Sequence, residues 1–316
     1  MRISIHLRHP TVACWNFSGV QAQRLQSLLP DVEIYLAENE REFLEALPET
    51  DIALVWRFEE SWLGRASKLE WIVTPAAGRD YFHVAPRDGL DIDYGSFHGP
   101  LIGETVLGML LGDCRGLFFC ARLQPEQPWP RAELAKAMRT LQGSRLTILG
   151  FGSIGRSIGR LAKPFGVRIT GVSRRAGELP DYFEPADRCL AIEALDDCLP
   201  ETDFLVLSLP ATRATDYLIE ARRIARLPSH AVVVNVGRGN AIDEDALAAA
   251  LIEGKLAGAY LDVYSTEPLP SSSPLRQAPN AFLFPHASAI APQYLDLFTE
   301  EFVLRFKRRY DFRSNG

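Results

Sequence analysis

Residues 145–155 read Arg145-Leu-Thr-Ile-Leu-Gly-Phe-Gly-Ser-Ile-Gly155. An apolar strand pattern runs straight into a G-x-G-x-x-G element, and a helical pattern continues from Ile154 to Phe165. Glycine spacings arise by chance, but a strand that turns on glycine into a helix is the context that gives this one meaning. Gly150 allows the tight turn, Gly152 lets backbone amides approach a pyrophosphate, and Gly155 lets the helix pack closely on the strand. The helix N-terminus around Ser153 and Ile154 then favours the anion. A dinucleotide-binding βαβ unit is the reading; a glycine-rich turn without a ligand is its competitor.

About 20 residues beyond such a loop, an NAD-specific protein places Asp or Glu on the ribose 2′-hydroxyl. Here the chain reads Gly171-Val-Ser-Arg-Arg-Ala176. The Ser173 hydroxyl and the Arg174 and Arg175 guanidiniums suit a 2′-phosphate, which a carboxylate would repel and arginine can pair in a bidentate way. NADPH is therefore the expected cofactor, with NADH possible. A solvated basic turn is the alternative.

Outward from this unit, short apolar runs alternate with amphipathic stretches. Strands are predicted at 3–7, 32–36, 52–56 and 71–74, then at 146–149, 168–172, 204–209, 232–236 and 259–263. Helices are predicted at 21–29, 40–47, 154–165, 243–252 and 293–309, with Asp243 as an N-cap. This rhythm implies an α/β architecture with parallel sheets covered on both faces. At 316 residues the chain exceeds a single typical domain, so two are expected. The apolar stretch 101–120 is interrupted by Glu104, Asp113 and Arg115 and reads as a buried helix rather than a membrane span.

A formal net charge of −6 argues against a nucleic-acid or anionic-membrane surface, since both need concentrated positive charge. The cysteines (Cys14, Cys114, Cys120, Cys189 and Cys198) are odd in number and form no C-x-x-C pair. Neither a disulfide framework nor a metal site is expected, and a reducing cytoplasm fits best. The N-terminus alternates like a strand and lacks the apolar core of a signal peptide. Arg305-Phe-Lys-Arg-Arg309 reads as the charged face of a terminal helix.

Three later segments put reactive side chains just beyond strands, where open α/β sheets bind ligands. They are Asn235-Val-Gly-Arg-Gly239, Leu261-Asp-Val-Tyr-Ser-Thr-Glu-Pro-Leu269 and Phe284-Pro-His-Ala-Ser288. Taken singly, Arg238 reads as a surface charge, Glu267 as an exposed loop residue and His286 as an ordinary histidine. Their co-occurrence beyond strands of one sheet points to a site.

Together these segments resemble the D-isomer-specific 2-hydroxyacid dehydrogenase family, whose members carry Arg in N-x-x-R-G, Glu in L-D-V-x-x-x-E-P and His in P-H. All three occur here in order. The resemblance covers nearly the whole chain. Residues 71–80 look like the family's substrate loop, 150–155 like its cofactor loop, and Leu209-Pro-Ala-Thr-Arg-Ala-Thr215 is similar to its P-x-T-x-x-T segment. The Ser-Arg-Arg turn and Val55-Trp56 look most like the glyoxylate/hydroxypyruvate reductase branch.

The resemblance implies a flavodoxin-like substrate-binding domain, 1–98 with 285–316, and an NAD(P)-binding Rossmann domain, 99–284. It implies reduction of a small 2-keto acid to the D-2-hydroxy acid. Arg238, Glu267 and His286 would be catalytic. Arg238 would bind the substrate carboxylate and polarise the ketone, and protonated His286 would donate to the carbonyl oxygen. Glu267 would hold the other imidazole nitrogen and favour the cation. Leu209, Pro210, Thr215, Val236 and Asp262 would border the cofactor, with Asp262 facing the carboxamide or else capping a strand end. The amides of Gly78 and Arg79 would take the substrate carboxylate. Family members often carry a small or apolar residue where Arg79 stands, so its side chain either meets a second anion or is solvated; Arg57 poses the same question. A homodimer through the cofactor domain is implied. The alternatives are a dinucleotide-sensing regulatory protein of the same fold and a formate dehydrogenase-like enzyme, the latter disfavoured because it would pair the His with Gln.

Overall fold

The computed structural model describes residues 1–79, 82, 84–127 and 129–311. Asp80, at the end of the 71–80 segment, and residues 312–316 lie outside them. The chain forms two compact units, Met1–His98 with Ile290–Gly316, and Gly99–Ala289.

The first unit carries five parallel strands: β1 (Arg2–His6), β2 (Glu33–Leu36), β3 (Ile52–Val55), β4 (Trp71–Thr74) and β5 (Asp91–Tyr94). Their order is β2-β1-β3-β4-β5, the flavodoxin-like order. Every residue of β3 and β4 is buried, which is why both read as continuous apolar runs. Strand β5 was not expected, because Asp-Ile-Asp-Tyr at a sheet edge buries only Ile92 fully. Helix α1 (Gly19–Leu28) opens on a capping box between Ser18 and Gln21, and α2 (Glu40–Ala46) on Asn39.

The second unit carries seven parallel strands: β6 (Arg145–Leu149), β7 (Arg168–Ser173), β8 (Arg188–Ala191), β9 (Phe204–Leu207), β10 (Val232–Asn235), β11 (Gly258–Leu261) and β12 (Ala281–Leu283). Their order, β12-β11-β10-β9-β6-β7-β8, is the doubly wound Rossmann order with one strand added. Helices α3 (Gly99–Cys114), α4 (Leu117–Leu123), α5 (Arg131–Ala137), α6 (Ser153–Ala162), α7 (Leu195–Cys198), α8 (Ala221–Ile224) and α9 (Glu244–Ile252) belong to this unit, and apolar clusters cover both faces of the sheet. The stretch 101–120 is not one helix: Gly116, at φ +63°, turns the chain between α3 and α4. Asp243 does cap α9, accepting from the Ala246 amide at 3.0 Å. The last helix, α10 (Tyr294–Asp311), belongs to the first unit and lays Phe302 against Trp71, ring centroids 5.4 Å apart. No helix among the described residues is long and apolar enough to cross a membrane.

The division between units falls after Ala289, five residues later than the expected 284/285 boundary. Hydrogen bonds explain the correction. Asp262 accepts backbone amides from His286, Ala287 and Ser288 at 2.9, 2.7 and 3.1 Å, and the Thr105 hydroxyl of α3 donates to the Ser288 carbonyl. His286 therefore belongs to the same unit as Arg238 and Glu267.

Candidate active site

Strand order in the second unit reverses between β6 and β9, and the glycine loop sits at that point. Gly150 has φ +95°, and a Cβ there would lie 2.7 Å from the Ser208 carbonyl oxygen. Both conformation and space demand glycine. A Cβ on Gly155 would lie 2.5 Å from the Gly150 carbonyl oxygen, so the helix start presses on the turn. Gly152 differs: it is exposed, and among the described residues nothing lies near its absent Cβ and no side chain caps α6 there. Beyond it Ser153 is exposed and Ile154 half-buried. An open helix start whose donors are backbone amides is what a pyrophosphate requires. The loop fits a dinucleotide.

At the end of β7 the Ser173 hydroxyl donates to the Arg175 carbonyl at 2.7 Å. Arg174 and Arg175 are exposed and make no ion pair among the described residues.

Strand β10 delivers Arg238. The Asn235 side chain brackets the turn, donating to the Arg238 carbonyl at 3.0 Å and accepting from the Gly237 amide at 3.1 Å. Arg238 is half-buried, and its guanidinium donates to the Gly237 carbonyl at 2.8 Å. A Cβ on Gly239 would fall 1.8 Å from the Tyr264 carbonyl carbon, so this turn and the loop after β11 meet backbone to backbone. In that second loop the Tyr264 amide donates to one oxygen of Glu267 at 3.0 Å. The other oxygen meets His286 Nδ1 at 2.7 Å. Glu267 thus holds the ring through Nδ1, which leaves Nε2 for other chemistry. Both side chains are about one-third exposed, at 32% and 36%. His286 itself sits at φ +52°, an uncommon conformation for a residue with a side chain.

The remaining expected residues divide. Asp262 is fully buried, and its two oxygens accept the Ala287 and Ser288 amides, the arrangement of a strand-end cap. The Thr215 hydroxyl donates to the Pro210 carbonyl at 2.8 Å and accepts from the Thr212 amide at 3.0 Å, closing the 210–215 loop on itself. Leu209 is half-buried, Pro210 exposed and Val236 buried. In the first unit Gly78 is half-buried, and exposed Arg79 places its guanidinium 5.2 Å from the centre of the Tyr94 ring. Arg57 is held by Glu40 at 2.5 Å, so its own unit accounts for its charge.

Sequence reasoning assigned no role to Tyr264. It is buried, and its hydroxyl lies 2.8 Å from the Leu261 carbonyl and 2.9 Å from that of Phe284, joining the end of β11 to the Pro-His segment. Burial pushes its phenol well above the usual range, so it stays protonated as a donor. Ser208 is a second such residue, donating to the Gly150 carbonyl at 2.8 Å.

The description "D-isomer specific 2-hydroxyacid dehydrogenase, NAD binding domain" fits residues 107–288, more than half of the chain. The chain belongs to the D-isomer-specific 2-hydroxyacid dehydrogenase family. This dehydrogenase is 31% identical over 259 residues to glyoxylate/hydroxypyruvate reductase B of Yersinia enterocolitica, covering 79% of the chain and 78% of the relative. It is 36% identical to the glyoxylate reductase of Thermococcus kodakarensis, covering 76% of the chain and 84% of the relative. Among solved structures, a D-isomer specific 2-hydroxyacid dehydrogenase from Xanthobacter autotrophicus Py2, in complex with NADPH and MES, superposes with a TM-score of 0.79. That match has 28% identity and covers 97% of this chain and 95% of the other. The dehydrogenase is accordingly an oxidoreductase that uses a nicotinamide dinucleotide to interconvert 2-keto and 2-hydroxy acids.

Proposed function

We propose that the dehydrogenase reduces a small 2-keto acid of the glyoxylate or hydroxypyruvate kind to the D-2-hydroxy acid, preferring NADPH to NADH. The observation that carries this reading is the 2.7 Å contact between Glu267 and His286 Nδ1, beyond the same sheet as Arg238 and the glycine loop. With Nδ1 engaged, Nε2 holds the proton that passes to the substrate's carbonyl oxygen. Arg238 binds the carboxylate and polarises the ketone with one planar guanidinium. The bound nicotinamide supplies the hydride. Gly150, Gly152, Ser153, Ile154 and Gly155 hold the pyrophosphate, while Ser173, Arg174 and Arg175 take the 2′-phosphate. Leu209, Pro210, Thr215 and Val236 border the cofactor, and Asp262 acts through the amides of residues 287 and 288.

In this reading Gly99–Ala289 is the cofactor-binding domain and the other unit binds substrate, with the Gly78 and Arg79 amides as carboxylate donors. The names of the two reductase relatives and the NADPH bound to the Xanthobacter protein support it. A homodimer through the cofactor domain is part of the proposal, supported by Leu117 and Trp129, which are 61% and 77% exposed. The cytoplasm is the proposed compartment.

Initial rates of nicotinamide oxidation with NADPH or NADH, against glyoxylate, hydroxypyruvate, pyruvate and phenylpyruvate, test the reading. Turnover favouring NADPH that disappears in His286→Ala supports it. Preference for NADH keeps the reductase and removes the 2′-phosphate role. Tight cofactor binding with no turnover overturns the reductase in favour of a sensor.

A further inference from the structure

Strands β6, β7 and β8 each begin with arginine: Arg145, Arg168 and Arg188. Register sets Arg145 opposite Arg168 and Thr170 opposite Arg188. Because side chains alternate with a period of two, these three guanidiniums share one face of the sheet with Thr147 and Thr170. They line a cavity of about 240 Å³ that Cys198 and Glu201 border from α7 and the turn after it. The cavity lies at the strand starts, roughly 16 Å along β6 from the glycine loop at the other end.

Like charges opposite one another across strands are destabilising, and the chain compensates only part of this set. Arg145 pairs with Asp203 at 3.1 Å, but that carboxylate also accepts from the Arg145 amide and contacts His230. Arg188 reaches Glu201 only at 3.6 Å, both side chains being more than half exposed. Arg168 makes no ion pair among the described residues. Cys198 adds no charge, since burial raises its thiol's pKa. Edge protection explains a charge on β8. It does not explain Arg168, because β7 lies inside the sheet, between β6 and β8.

We propose that this cavity binds a small phosphoanion of the diphosphate class, at a site separate from the cofactor's. Guanidiniums on neighbouring strands offer such an anion several parallel N–H donors, and the Thr170 hydroxyl stands beside them, 3.5 Å from Arg188. The proposal stands independently of the 2-keto acid reading.

Pyrophosphate is titrated into the dehydrogenase saturated with its nicotinamide cofactor, which blocks the glycine loop, and compared with sodium chloride at equal ionic strength. Calorimetry is expected to show one saturable site, and thermal unfolding a matching rise in Tm. Arg168→Ala weakens binding roughly tenfold or more, as expected for losing a charge-assisted contact, and Arg168→Lys restores part of it. Arg168 is exposed, so both variants are expected to fold and to keep their turnover without pyrophosphate. No response beyond the chloride control, or equal affinity in the native chain and Arg168→Ala, overturns the site.

Discussion

His286 is held by its amide on the Asp262 carbonyl and by Nδ1 on Glu267, and Nε2 has no hydrogen-bond partner among the described residues. Removing the ring in His286→Ala is expected to lower kcat by 10²–10⁴-fold, on the order of a general acid's contribution, while cofactor affinity measured by fluorescence titration holds. An unchanged kcat would remove His286 from the chemistry. Glu267 meets the His286 ring at Nδ1, and under the proposed function it acts through that ring as a positioning residue. Glu267→Gln keeps a hydrogen-bond partner but loses the charge, so kcat is expected to fall about tenfold with KM for the keto acid steady. Glu267→Ala is expected to fall further, and Gln to rescue part of that loss. If kcat, KM and Tm deteriorate together in both variants, the role is structural only. The Arg, Glu and His of this candidate site stand out in the sequence because the chemistry proposed for them is carried by residue type in fixed motifs. Tyr264 does not, because what it does depends on which carbonyls the folded backbone brings near, and it falls on an unspecified position of the L-D-V-x-x-x-E-P segment; Asn235 opens the N-x-x-R-G segment, but its bracketing of the turn shows only in the fold.

Among the elements, the turn after β10 carries Arg238 and the loop after β11 carries Glu267. Gly239 lets them touch: its φ is not in the left-handed region, so space alone forbids a side chain, with Tyr264 and Ser265 backbone atoms 1.8–2.3 Å from where Cβ would be. Gly239→Ala must push two backbones apart. It is expected to cost about 1–3 kcal/mol or more, as overpacking does, and to reduce kcat/KM more than cofactor binding. Urea denaturation alongside steady-state kinetics checks this, and full activity at native stability would show that the loops are not locked together. Central strands such as β3, β4, β9 and β10 were legible as continuous apolar runs because both of their faces are buried. Edge strands β5, β8 and β12 have few or no fully buried residues and leave no such pattern. The unit boundary was misplaced for a related reason: the amides of residues 286–288 bind an acceptor more than 20 positions earlier, a contact no local pattern reports.

For the whole molecule, two units with separate cores meet acid with different titrating groups. His6, at the end of β1, stacks on Phe43 at 5.7 Å and has a buried Nδ1 with no hydrogen-bond partner among the described residues. Burial lowers its pKa from the usual 6.5, with Arg8 and Arg57 acting in the same direction and Glu40 and the Ala37 backbone opposing. The unfolded imidazole therefore takes up a proton before the folded one does. The stability contributed by neutral His6 is complete above pH 6.5 and is lost as pH falls from there through the lower folded value. In the second unit burial pushes the Asp203 carboxyl up, but hydrogen bonds from the Arg145 side chain and amide, helped by His230, bring it below its usual 3.8. Its contribution persists until pH drops beneath that range. Acid should thus weaken the first unit well before the second. Four of the five tryptophans, Trp15, Trp56, Trp62 and Trp71, lie in the first unit, so their fluorescence reports its unfolding. The urea midpoint followed by tryptophan fluorescence is expected to fall between about pH 7.5 and about pH 5.5, and to fall less in His6→Gln, where His9, its pKa also lowered by burial, still titrates. A midpoint that does not move in this window, or that falls equally in His6→Gln, would place the acid sensitivity of the first unit elsewhere.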